Sequence, residues 1–73
     1  MNYMYQLMFT EFNALRRAAS LAHSDYLRRK EDLGRAIDLR NDEAIRANLA
    51  SLLISRYVLM KLQVLILERI NER

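Results

Sequence analysis

Cysteine, proline and tryptophan are absent from this sequence, and glycine and histidine occur once each, as Gly34 and His23. Without cysteine there is no disulfide and no thiolate metal site. One histidine cannot build a metal cage, so no metal or cofactor is expected. A β-protein of this size needs several tight turns, which normally recruit glycine and proline. Their scarcity points to an all-α fold. A run of charge of one sign is also missing. Ten arginines, two lysines and nine acids give a net charge of +3, and the signs alternate along the chain. That is the pattern of a solvated helix face rather than of a nucleic-acid stripe. The lack of cysteine fits a reducing compartment, and a cytoplasmic location is expected.

What is present is apolar surface. The chain of 73 residues is one domain at most, residues 1–73. Its 52% apolar share excludes disorder. Fourteen of the nineteen residues from Leu49 to Leu67 are apolar. A lone core at this size supplies only about 3–5 kcal/mol, so small folds add a staple or a partner. With disulfides and metals excluded, oligomerisation or a hetero-complex is left as the stabiliser. The Leu49–Leu67 run is long enough to suggest a membrane span. Arg56 and Lys61 interrupt it centrally, each at about 2.5–3.5 kcal/mol on insertion scales, so no span is expected. The start, Met1 to Phe12, is apolar but lacks the basic region and small-residue cleavage site of a signal peptide.

In the first half, apolar positions follow a 3-4 rhythm: Met1, Tyr5, Met8, Phe12, Leu15, Ala19, Ala22 and Tyr26, then Leu33 and Ala36. Only Arg29 breaks the series. Such a repeat marks coiled-coil packing. Asn41 is a good N-cap, and Asp42 and Glu43 suit the first turn of a following helix. Gly34 is read as a glycine inside the first helix, at a cost of about 1 kcal/mol. A break near Ser20–Ser24 is the weaker alternative, because the rhythm runs through it. The expected architecture is an antiparallel two-helix hairpin: a helix over about 3–39, a turn at about 40–41 and a helix over about 42–72. Pairing about the turn matches residues whose numbers sum to about 81, so that Leu15 faces Ile66, Tyr26 faces Ser55 and Phe12 faces Arg69. Met1–Phe9 then overhangs the second helix.

The second helix has no broad polar face. Leu49, Leu52, Leu59, Ile66 and Ile70 fit one apolar seam. Leu53, Tyr57, Met60, Val64 and Leu67 fit a second beside it. One seam can serve the hairpin and the other an interchain contact. Left bare, the second would be a large apolar patch and an aggregation hazard. The residues expected to bind a partner are therefore Tyr5, Met8, Phe9 and Phe12 of the first helix, and Leu53, Tyr57, Met60, Val64 and Leu67 of the second. Arg56 and Lys61 are read as snorkelling, with heads in water, or as pairing with a partner's acids.

Catalysis finds no support. Ser20, His23, Ser24 and Asp25 lie close in sequence, but nothing supplies an oxyanion hole or a concave pocket, and the chain is not read as an enzyme. Asp25 with Arg29, Glu31 with Arg35, and Asp42 with Arg46 read as i,i+4 helix support of about 0.2–0.5 kcal/mol each. Arg16, Arg17, Arg28, Arg29 and Lys30 could form a basic patch, but Asp25, Glu31 and Asp32 lie in the same stretch and blunt its field.

The polar turn Leu39–Arg46 (LRNDEAIR), the apolar second helix ending Ile66–Arg73 (ILERINER), and the size resemble the small helical-hairpin co-chaperones of bacterial type III secretion. The resemblance covers the whole chain as architecture and carries no functional residue over. It implies a Cys-free hairpin that pairs with a larger helical-repeat chaperone to hold the needle subunit before export. The expected function is a non-enzymatic interaction module that buries an apolar helix face against a partner protein. The alternative is a self-assembling four-helix-bundle homodimer, whose arginines are the residues that could contact RNA, although nucleic acid is not the expected partner.

Overall fold

The computed structural model describes the backbone of residues 2–72 and the side chains of residues 11–72. Two helices, α1 (Asn2–Asp38) and α2 (Asp42–Asn71), form an antiparallel hairpin. No limit of either helix differs from the expected one by more than a residue, and α1 runs unbroken through Ser20–Ser24. The molecule is a rod, with Cα extents of 59 × 15 × 12 Å.

The turn is built by a left-handed residue. Arg40 has φ 54°, and two backbone bonds close around it. The amide of Arg40 donates to the carbonyl of Ile37 at 3.0 Å, and that of Asn41 donates to Ala36 at 3.2 Å. This is a Schellman motif, which satisfies carbonyls that the helix end leaves orphaned. Arginine occupies the place where glycine is usual, at a cost of about 1–2 kcal/mol in backbone strain. Asn41 then caps α2, its side-chain oxygen accepting from the amide of Ala44 at 3.1 Å. Asp42 and Glu43 follow in the first turn. Gly34 lies inside α1 rather than at its end.

The register agrees with the expected one to within a residue. Asp25 meets Ser55, Arg29 meets Ser51 and Glu11 meets Arg69, so opposed residue numbers sum to 80. The seam of α2 differs from the expected one. Leu49 and Ile70 are 43% and 48% exposed. The side chains that face α1 follow Ile45, Asn48, Ser51, Leu52, Ser55, Leu59, Leu62 and Ile66. The expected seam follows apolar residues alone. The true one admits Asn48, Ser51 and Ser55 because Asp25 and Arg29 of α1 supply polar partners for the two serines. Asn48 is satisfied locally, donating to the carbonyl of Ala44 at 2.8 Å. Along α1 the seam runs through Leu15, Ala18, Ala19, Ala22, Tyr26, Arg29, Leu33 and Ala36. Its alanines let the two backbones come close.

The core is thin. Among the described residues only Phe12, Ala36, Ser55 and Leu59 are buried, and no large side chain is sealed completely. Accessible surface is 6251 Å², against about 4,700 Å² expected of a folded monomer of this mass. The radius of gyration is 16.8 Å, against about 11 Å for a compact domain of this length. The hairpin thus leaves bare about 1,500 Å² more surface than a finished globule does.

Candidate protein-interaction surface

Among the described residues, most of the exposed large apolar side chains lie on α2. At about 100° per residue, Leu53, Tyr57, Met60, Val64 and Leu67 share one stripe on the side turned away from α1. All five are half exposed or close to it, and Met60 is 52% exposed. Ile54, Val58 and Leu65 add a second exposed band along one flank. Among the described residues of α1, by contrast, exposed large apolar side chains are scattered: Leu21, Leu27 and Ile37, with Leu39 in the turn. A helix that is apolar on every side belongs in an interior, and one neighbouring helix hides only part of α2.

Of the residues expected from the sequence to bind a partner, the α2 set therefore lies together on a free face. Phe12 does not join it. Phe12 is buried at the open end of the hairpin, with the guanidinium of Arg16 5.7 Å from its ring centroid. Its heptad position turns it towards α2 and withdraws it from the surface. Tyr5, Met8 and Phe9 lie outside the described side chains.

The seam holds a polar cluster in which the expected Asp25–Arg29 pair reaches across to two serines of α2 that the sequence pattern does not single out. Oδ2 of Asp25 accepts from Nε of Arg29 at 2.8 Å and from the hydroxyl of Ser55 at 3.0 Å. Oδ1 of Asp25 accepts from Arg28 at 2.8 Å. Arg29 also donates through Nη1 to Oγ of Ser51 at 2.7 Å. The Arg29 and Ser55 hydrogen bonds hold the Asp25 carboxyl below its ordinary range, with partial desolvation working against them. A shallow groove lined by Ala22, Asp25, Arg29, Ser51, Ile54, Ser55 and Val58 opens beside the cluster. Arg29, the one interruption of the α1 rhythm, was the available signal. A charged residue in a seam needs a polar partner across it, and α2 carries Asn48, Ser51 and Ser55 at helical spacing. Among the described residues no buried polar side-chain atom lacks a hydrogen-bond partner.

Other charges serve the hairpin itself. Arg69 reaches Glu11 across the seam at 3.4 Å and Glu72 at 3.7 Å. Arg35 pairs with Asp32 rather than with the expected Glu31. Arg28 and Arg29, members of the basic stretch of α1, are both engaged by Asp25, whose single carboxylate offsets one of their two charges. Ser20, His23 and Ser24 are all exposed and enclose no pocket. Among the described residues no group of acids and histidines is placed to hold a metal ion.

By length and composition α2 is also long and apolar enough to cross a membrane. Its most apolar eighteen-residue stretch has mean hydropathy 1.6 and is 11% buried in the hairpin. Comparison with protein-family models, with curated proteins and with solved structures found no match to this chain.

Proposed function

We propose that this chain is a non-enzymatic protein-interaction module, a helical hairpin that folds to completion by laying the outer stripe of α2 against another protein. One observation carries this reading. Leu53, Tyr57, Met60, Val64 and Leu67 form a continuous heptad-spaced stripe on the face of α2 that α1 does not touch. The shape agrees with it: a rod with about 1,500 Å² more surface than a finished globule has room for an interface of standard size, roughly 800 Å² per partner.

Within that class the finer proposal is a cytoplasmic co-chaperone, the role that the architectural resemblance to type III secretion hairpins implies. A small cysteine-free hairpin with a surplus apolar face suits it, because such a chain has little stability alone and gains it from a larger client-holding subunit. One observation favours a second reading, a membrane-associated α2: its length and hydropathy. The central Arg56 and Lys61 count against it at about 2.5–3.5 kcal/mol each.

The test is a double substitution, Leu53→Glu with Met60→Glu. Both side chains are more than half exposed, so the helical circular dichroism spectrum should persist. Association, read as the mass of the native complex by size-exclusion chromatography with light scattering, should be lost. Survival of the complex with both glutamates in place would show that the stripe is not its interface.

A further inference from the structure

The charges bordering the stripe say what kind of chain fits it. Between Arg46 and Glu68 the only charged residues of α2 are Arg56 and Lys61, both cations. At about 100° per residue, Arg56 borders the Leu53–Leu67 stripe on one edge and Lys61 on the other. Glu68 stands on the Lys61 edge, beyond the last apolar residue of the stripe. Both cations are exposed. The ion pairs among the described residues engage Arg28, Arg29, Arg35 and Arg69, and neither Arg56 nor Lys61 takes part in one. The ammonium of Lys61 rests 5.5 Å from the ring centroid of Tyr57, which places the charge at the edge of the stripe.

Resting on the reading that a protein chain covers this stripe, we propose that the covering element is an amphipathic helix whose own apolar stripe is bordered on both sides by carboxylates. A helix laid on Leu53–Leu67 brings its flanking positions against Arg56 and Lys61, where opposite charge fixes partner choice and orientation. A second copy of this chain fits less well. An antiparallel pair of identical stripes is centred near Met60, and that arrangement brings Lys61 beside its own symmetry mate. The joint surface would hold four cations and no carboxylate between residues 47 and 67. Like charges brought together disfavour such pairing. Hydrocarbon is a poorer occupant again, since it offers the two cations no counter-charge.

The probes are two synthetic four-heptad peptides with leucine at every a and d position. One carries glutamate at every e and g position and the other carries lysine. Binding to the full chain is measured by fluorescence anisotropy at low salt. The glutamate peptide should bind roughly tenfold or more tightly than the lysine peptide. Arg56→Glu with Lys61→Glu should reverse that order, and because both residues are exposed the helicity should be unchanged. Equal binding of the two peptides, or an order that the double reversal leaves intact, overturns the acidic-helix proposal while the covered stripe stands. Binding of neither peptide also overturns it. In that case a purified dimer identifies the second copy as occupant, and adsorption to phosphatidylcholine vesicles identifies a membrane. If Leu53→Glu with Met60→Glu leaves peptide binding undiminished, the stripe itself is wrong.

Discussion

Leu59 and Met60 are neighbours in sequence but lie about 100° apart around α2, on different faces, which makes them a sharp pair of perturbations. Leu59 is 8% exposed and belongs to the seam, whereas Met60 is 52% exposed and belongs to the outer stripe. Leu59→Ala removes three buried carbons, worth about 2.4 kcal/mol at about 0.8 each. The cavity left between two rods raises the loss to about 3 kcal/mol, near the lower end of the range for such truncations. A fold of this size has only about 3–5 kcal/mol from its own core. The melting temperature should therefore fall by roughly 12–24 °C, with part of the population unfolded at room temperature. Met60→Glu, on the solvent side of the isolated hairpin, should change its stability by no more than about 0.5 kcal/mol. Thermal and urea melts followed by circular dichroism at low protein concentration read both effects. A Leu59→Ala loss below about 1 kcal/mol would refute the assignment of the seam. A Met60→Glu loss as large as that of Leu59→Ala would show that the outer stripe is already packed in the isolated chain.

Three further outcomes follow from local geometry. Gly34 sits inside α1 with open space where a Cβ would go, so Gly34→Ala should stabilise the hairpin by about 0.5–1 kcal/mol in a urea melt. Arg40→Gly should add about 1 kcal/mol by removing the strain at φ 54°, and a loss of stability would mean that the Arg40 side chain contributes more than its backbone costs. Asp25 is held below its ordinary pKa of 3.8 by Arg29 and Ser55. The stability it confers is thus complete above the unfolded value and is lost as pH falls through the lower folded one. Asp25→Asn should flatten that acid limb in melts between about pH 5 and 2, and an unchanged limb would exclude Asp25 as its source.

The hairpin was legible because its signals agree across levels. The 3-4 rhythm of α1, the Asn41 cap with Asp42 and Glu43 behind it, and the lack of proline all specify two long helices. The outer stripe was legible for a related reason: an apolar period sustained over Leu53–Leu67 needs a partner surface wherever it points. The seam was legible only in part. Apolar choice nominated Leu49 and Ile70, yet the helices turn them outward and bring Asn48, Ser51 and Ser55 inward. A thin two-helix seam that stays partly wet tolerates polar side chains when each finds a partner, as Ser55 finds Asp25 and Ser51 finds Arg29. Composition alone cannot reveal such cross-helix pairs. They depend on the register, which a shift of a single residue rearranges. Phe12 illustrates the same limit, since its heptad position suited it equally to the seam and to an exposed end.

The central claim is that another protein chain covers the outer stripe of α2. Because the sequence has no cysteine, a single thiol introduced by Met60→Cys reports on that face without background. A second, separate variant, His23→Cys, places a thiol on the exposed surface of α1 as a control. Maleimide labelling rates are compared for the purified chain and for the chain in a native-host extract cleared of membranes. The account predicts that the Met60→Cys thiol reacts freely in the purified chain and is protected at least about tenfold in the extract, while the His23→Cys thiol reacts alike in both. Equal labelling of the Met60→Cys thiol in the two settings would contradict it.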